Sequence, residues 1–260
     1  MPLDEYSFLE KVRKRTKLER KIESEVFDRN VLLTIVFMMD HKLISTIDFP
    51  ISKGKEAYVF RTSRGEKLKG GRGKKIDKEF AALKIYMIET SHFRNMQDYI
   101  RGDPRFRKVS HSKQRIVYEW TRKEFRNLKL CYEAGVHVPQ PYYFKNNTLL
   151  MDYVGDEDGN PAQSLKKVTP PDPKKNFRQL ITDMKKMYSI GLIHGDLSEY
   201  NILVKDGKLY IIDVGQSVLL DHPMAEEFLV RDVKNLVNYF SKYGVKADPD
   251  KILKEIKGKE

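Results

Sequence analysis

Sulfhydryl chemistry is almost missing from this chain of 260 residues, which holds one cysteine, Cys131. A single thiol excludes an intrachain disulfide framework, leads one to expect no disulfide-linked partner, and suits a reducing compartment. Long apolar runs are missing as well. The longest candidate, Val31 to Met39, falls far short of the roughly 20 residues that cross a bilayer. The first residues also lack the apolar core of a signal peptide. A cytoplasmic protein without a membrane partner is the expectation. The six histidines show no metal-ligand spacing, so His194 reads as a residue that braces a loop.

Acidic residues are in deficit. Lys and Arg number 49 against 37 Asp and Glu, for a formal net charge of +12. The excess gathers at Lys11 to Lys21, at Arg61 to Lys78 with Gly70-Gly71-Arg72-Gly73-Lys74-Lys75 as a basic hairpin tip, and at Arg101 to Arg115. Such stretches are drawn to phosphate backbones, with binding that weakens steeply as salt rises. A solvated charged surface is the plain alternative.

What is present suits a globular protein. Hydrophobic residues make up 40% and charged residues 33% of a chain long enough for two modest lobes. Residues 1 to about 45 read as helical, and residues 48 to 150 as strands with one helix around Val117 to Glu133. Val138-Pro139-Gln140-Pro141 breaks that helix and starts another strand pair. Asp156 to Asn176 reads as loop, and Phe177 to Ile190 as helix with Gly191 at its end. A further helix spans about Pro223 to Tyr243, followed by a short one.

The richest segment is Ile193 to Leu203, followed by Ile211-Ile212-Asp213-Val214-Gly215. Two short apolar runs, Ile202-Leu203-Val204 and Leu209 to Ile212, flank Asp206-Gly207, a pair that tolerates the positive φ angles of a tight hairpin turn. A hairpin centred there sets Asn201 opposite Ile212, one residue from Asp213. An amide oxygen and a carboxylate at one end of a hairpin suit Mg²⁺, a hard cation that takes oxygen ligands. Asp196 sits just before, in a polar loop. Taken singly, Asn201 and Asp213 also read as ordinary turn residues.

Upstream, Phe80 to Tyr86 reads as a strand with Lys84 inside an apolar run. A buried lysine needs an anionic partner. Glu124 is the candidate, because Trp120, Glu124 and Leu128 fall at helical spacing on one face. Such a pair orients the α- and β-phosphates in the kinase template. The alternative has Lys84 snorkelling to water and Glu124 pairing on its own helix. Ser52-Lys53-Gly54-Lys55 has one glycine and matches neither G-x-G-x-x-G nor the Walker pattern. Its backbone N–H groups and lysines suit phosphate, although a charged turn explains it as well.

Together these residues resemble the RIO family of atypical serine/threonine protein kinases, in the archaeal-type subfamily without an N-terminal winged helix. The resemblance lies in Ser52 to Ala57, Ala82 to Tyr86, Trp120 to Leu128, Val138 to Pro141, Met151 to Val154, His194 to Asn201, Ile212 to Val218 and His222 to Ala225. It implies an α+β, bilobal protein-kinase-like fold with a truncated C-lobe and N-terminal helices added to the N-lobe. The implied division is a helical extension over 1–46, an N-lobe over 47–150, a hinge over 151–155 and a reduced C-lobe over 156–260. It also implies ATP, with Mg²⁺ or Mn²⁺, bound between the lobes. Lys84 would hold the phosphates and pair with Glu124. Ser52, Lys53, Gly54 and Lys55 would form the phosphate loop, and Met151, Tyr153 and Val154 would meet adenine through their backbone. Asp196 would be the catalytic base or the carboxylate that orients the nucleophile, Asn201 and Asp213 would hold the metal, and Asp213 would accept phosphate transiently. The implied partners are a pre-small-ribosomal-subunit particle and its rRNA.

Departures from ordinary protein kinases accompany the match. Gly195 stands where an arginine usually reads a phosphorylated activation loop, Ser198 where a lysine lies near the γ-phosphate, and Val214 where a phenylalanine follows the metal aspartate. After Gly215 the expectation is that no activation segment or peptide-docking helices fit. Two readings follow: a kinase/ATPase whose acceptors include its own Ser110 in the basic 101–115 loop, or an ATP-gated RNA- or ribosome-binding assembly factor.

Overall fold

The computed structural model describes residues 27–68, 79–89 and 112–258. The helical reading of residues 1–26, the basic tip at 70–75 and Ser110 lie outside them. The described chain divides into two compact units, one holding residues up to Glu89 together with Tyr142–Asp152, the other holding 112–141 and 153–258.

The first unit begins with α1 (Arg29–Asp40), capped by Asp28, whose carboxylate accepts from the Val31 N–H at 2.8 Å. Five strands follow: β1 (Ile44–Lys53), β2 (Ala57–Arg64), β3 (Phe80–Tyr86), β4 (Pro141–Lys145) and β5 (Thr148–Asp152). They form one sheet in the order β1-β2-β3-β5-β4. Period-two alternation sends Ala81, Leu83 and Ile85 of β3 to one face. There they pack in one core with Val31, Ile35 and Met38 of α1, spaced at helical intervals. Ala82, Lys84 and Tyr86 point to the opposite face. β1 starts at Ile44, so the expected boundary between residues 46 and 47 falls inside a strand.

The second unit contains α2 (Lys113–Glu133), β6 (Gln163–Ser164), α3 (Pro173–Ser189), β7 (Leu192–Ile193), β8 (Ile202–Lys205), β9 (Lys208–Ile211), β10 (Val218–Leu219), α4 (Ala225–Ser241) and α5 (Pro249–Ile256). Strands β6, β8 and β9 form one antiparallel sheet, and β7 pairs with β10. α2 belongs here, where the sequence places it with residues 47–150. Its buried face carries Trp120, Lys123 and Asn127 against residues 214–217. It starts at Lys113 behind an N-cap at Ser112. It ends at Glu133, before the proline pair, because Gly135 takes φ +73° and the Val136 N–H returns to the Cys131 carbonyl at 3.0 Å. Cys131 is fully buried, and burial, aided by the charge of Asp183, pushes its thiol pKa up to about 12.

α3 also starts earlier than its apolar pattern suggests. Asp172 caps it and Pro173 occupies the first turn, so residues 173–176 are helix where a loop was expected. Of the expected hinge, Met151 and Asp152 are the last residues of β5, and the chain enters the second unit at Tyr153.

Candidate active site

The hairpin forms as its turn chemistry demands. Asp206 and Gly207 both have positive φ, 51° and 73°, and Lys205 pairs with Lys208 across them. Side chains from α3 hold it from behind: Asn176 donates to the Gly207 carbonyl at 2.9 Å, and Gln179 both donates to the Leu209 carbonyl and accepts from its N–H. The register sets Ile202 against Ile211. One step further, the Ile212 N–H donates to the Asn201 carbonyl at 2.9 Å, so Asn201 lies opposite Ile212, one residue from Asp213.

The loop before it is braced from every side. Asn201 Nδ2 donates to the Asp196 carbonyl at 2.8 Å and to its carboxylate at 3.0 Å. With its nitrogen so occupied, the oxygen remains as the acceptor of that amide. His194 Nδ1 accepts from the Asp196 N–H at 3.2 Å, which assigns the proton to Nε2, 3.2 Å from the Ile212 carbonyl. His194 thus braces the loop, as its lack of ligand spacing suggests. From α4, the fully buried Asp232 accepts from the Gly195 and Leu197 N–H groups at 2.8 Å each. Arg231 donates to the Gly195 carbonyl and Asn235 to that of Leu197. Gly195 itself has φ +80°, and the Gln216 carbonyl lies 3.3 Å from where a Cβ would stand.

Asp213 is exposed and adopts a left-handed conformation, φ 61° and ψ 58°. That costs a non-glycine residue about 1–2 kcal/mol, so neighbouring structure must hold it there. The turn Val214–Gln216 that follows is gripped by α2. Lys123 Nζ donates to the Gly215 carbonyl at 2.7 Å and to that of Ser217 at 2.6 Å. Asn127 donates to the Val214 carbonyl at 2.9 Å. Trp120 lies so close to Gly215 that a Cβ there would stand 2.9 Å from its indole nitrogen. Each hydrogen bond from a charged donor contributes roughly 1.5–3 kcal/mol, enough to outweigh the strain at Asp213.

The carboxyl of Asp196 titrates above the usual aspartate range, chiefly because it is partly buried. The negative charge of Asp213 raises it further, while the Asn201 hydrogen bond and the charge of Arg231 oppose the rise. A partly desolvated carboxylate of this kind is a stronger base than one in water. Among the described residues no three His, Cys, Asp or Glu side chains cluster as a metal cage. An amide oxygen with one exposed carboxylate instead fits Mg²⁺, which keeps waters and takes its remaining oxygens from phosphates.

The other expected residues are distributed between the units. Lys84 lies on β3 of the first unit, buried, its ammonium 4.9 Å from the centroid of Tyr86. Glu124 lies on α2 of the second unit, also buried. Ser52, Lys53, Gly54 and Lys55 form the exposed end of the β1–β2 hairpin. There the Gly54 N–H already donates to the Ala57 carbonyl at 2.9 Å, so that group is not free to cradle phosphate. Past β5, the Val154 carbonyl accepts from the Ala162 N–H at 3.0 Å, and Tyr153 donates its hydroxyl to the Gly159 carbonyl at 2.7 Å. Lys123, Asn127, Asp232, Arg231 and Asn235 were not foreseen. Lys123, Asn127 and Asp232 carried one signal, a polar side chain on the buried face of a helix, as with Asp232 between Leu229 and Val233; Arg231, exposed, and Asn235, half-buried, carried none.

A family model described as the RIO domain matches residues 68–252. The chain is 40% identical over 240 residues to the RIO-type serine/threonine-protein kinase Rio1 of Haloferax volcanii, covering 92% of this chain and 79% of that protein. It is 39% identical over 253 residues to the protein of the same description from Methanocaldococcus jannaschii, covering 97% and 82%. Among solved structures it is similar to the Rio2 kinase of Chaetomium thermophilum in its ADP/Mg²⁺-phosphoaspartate complex, with a TM-score of 0.66 and 27% identity, covering 87% of this chain and 65% of that one.

Proposed function

The chain belongs to the RIO family, and on that premise we propose that it transfers the γ-phosphate of Mg-ATP to a serine or, through Asp213, to water. It is a serine/threonine-protein kinase of the RIO type with an α+β, kinase-like fold. One observation supports the assignment of roles above all others. Asn201 holds Asp196 by its side-chain nitrogen and Ile212 by its main-chain carbonyl, which ties the base, the amide and the neighbouring Asp213 into one braced loop.

In this proposal Asn201 and Asp213 ligate the metal, which when bound neutralises charge on the phosphates. Lys84 adds positive charge to the α- and β-phosphates, with Glu124 as its partner. The backbone of Met151 to Val154 meets adenine, and Lys53 and Lys55 add charge at the β1–β2 turn. For transfer to serine, Asp196 accepts the hydroxyl proton as the oxygen attacks the γ-phosphorus and ADP leaves. Ser110 is the proposed acceptor within the chain. For transfer to water, an Asp213 carboxylate oxygen attacks the γ-phosphorus, the bond to the bridging oxygen breaks, and ADP departs. Water then attacks the phosphorus of the acyl phosphate, which releases phosphate and restores the carboxylate. The phosphoaspartate of the Chaetomium Rio2 structure supports this second route.

Incubation with γ-labelled ATP and Mg²⁺, followed by denaturation, tests the assignment. Label that hydroxylamine removes is expected on the wild type and absent from Asp213→Asn. Equal acyl-phosphate on both proteins would overturn it. The finer proposal makes this turnover a switch in small-ribosomal-subunit maturation, with the pre-small-subunit particle and its rRNA as partners. The net charge of +12 supports an RNA-rich partner. Affinity for small-subunit rRNA should fall steeply with salt, and no binding at low salt would count against it. An ATP-gated assembly factor with little kinase activity is the second reading, favoured by the same charge. Slow turnover accelerated by the particle would unite the two.

A further inference from the structure

Lys123 and Asn127 belong to no step described so far, yet Lys123 is among the largest fully buried side chains, and Asn127 is equally hidden. Their polar ends converge on the carbonyls of Val214, Gly215 and Ser217, immediately after Asp213. Trp120, one turn earlier on the same face of α2, closes on Gly215. We propose that Lys123 and Asn127 are positioning residues for the metal: by clamping the 214–217 turn onto α2, they keep Asp213 in the left-handed conformation that presents its carboxylate.

The inference rests on the reading of Asp213 as a metal ligand. Its physical basis is that this conformation is unfavourable for an aspartate and persists only where the surroundings impose it. Upstream of Asp213 the chain is held by the hairpin, through the Ile212 N–H on Asn201. Downstream the clamp supplies the second fixed point. A residue pinned on both sides cannot relax into the right-handed region. With the clamp released, the downstream side swings free and the carboxylate leaves the position that the left-handed conformation gives it. Metal affinity then falls, while nucleotide contacts made elsewhere persist. α2 also carries Glu124, so the clamp makes the proposed partner of Lys84 and the metal aspartate members of one rigid piece.

The test uses the full chain and its only tryptophan, Trp120, whose contact with Gly215 makes its fluorescence a reporter of the turn. Mg²⁺ is titrated in the presence of ADP and read by Trp120 emission, and in the presence of ATP and read by phosphate transfer. Binding of a fluorescent ATP analogue in EDTA is measured alongside. Lys123→Met and Asn127→Leu are expected to raise the Mg²⁺ midpoint roughly tenfold or more in both readouts, with metal-free nucleotide binding changed by less than about twofold. Gly215→Ala, which displaces the turn from its own side, should do the same and replaces Lys123→Met if that variant does not fold. Thr121→Val is the control for mere helix damage. It removes a buried hydroxyl bonded to Val117 at 2.9 Å without touching the turn, and should leave the midpoint in place. Folded Lys123→Met, Asn127→Leu and Gly215→Ala proteins with the wild-type Mg²⁺ midpoint would overturn the clamp. Metal-dependent turnover surviving in Asp213→Asn would instead overturn the metal assignment, and the clamp with it.

Discussion

The β1–β2 turn at Ser52 to Lys55 and the loop from His194 to Ser217 were both expected to handle anionic oxygen, and they are built in opposite ways. The first is exposed at Ser52, Lys53, Gly54 and Lys55. The Gly54 N–H closes the turn on the Ala57 carbonyl rather than awaiting a phosphate. The second is fixed by side chains from α2 and α4, among them two fully buried charged residues, Lys123 and Asp232. The difference teaches where catalysis resides. A group that must meet a reacting phosphorus has to be preorganised, whereas a group that only adds charge can act from a turn with few constraints.

Substitutions can break this comparison, beginning with the largest effect. Asp196→Asn should lower kcat by about 10²–10⁴-fold in single-turnover phosphate transfer to serine. Because burial lifts the Asp196 pKa, the wild-type acid limb should lie above the ordinary aspartate range. As pH falls, the base is lost earlier than an exposed carboxylate would be. A limb at the usual position would contradict the environment described. Asp232→Ala should come next. It strands two buried N–H groups that now meet a carboxylate, at a cost of about 3 kcal/mol or more. Chemical denaturation measures this, and an unchanged midpoint would mean the loop is held by other means.

Lys53→Ala and Lys55→Ala should have far smaller consequences. Exposed charges contribute roughly 1 kcal/mol or less, so KM for ATP should rise no more than about fivefold, with kcat unchanged. A large fall in kcat would show that the turn takes part in the transition state and would erase the contrast. Smallest of all is Ser217→Ala. The Ser217 hydroxyl is buried without a hydrogen-bond partner among the described residues. Its removal should be neutral or raise stability by less than about 1 kcal/mol. A marked loss in thermal denaturation would reveal an unseen partner.

The hairpin at Asp206-Gly207, the strand around Lys84 and the placing of Asn201 opposite Ile212 were legible because each follows from local rules: turn residues, an apolar run and register. Helix starts at Lys113 and Pro173 were less so, since their caps, Ser112 and Asp172, lie outside the apolar period that marks a helix. Of the clamp and the Asp232 anchor the sequence offers only polar side chains on buried helix faces, not what they hold. Lys123 meets Gly215 across a separation of 92 residues, and Asp232 meets Gly195 across 37. No periodicity records such a meeting. The grouping of α2 with the second unit was missed for the same reason, because the contacts that decide it come from residues 214–217.

Cys131 has a practical consequence. With its thiol fully enclosed and protonated far above neutral pH, it offers maleimide almost no thiolate. A cysteine placed at Tyr200, where 59% of the residue faces solvent, would therefore be the sole reactive thiol for a dye or spin label. The native sulfur need not be removed, and the probe would sit four positions from Asp196, ready to register the approach of an acceptor.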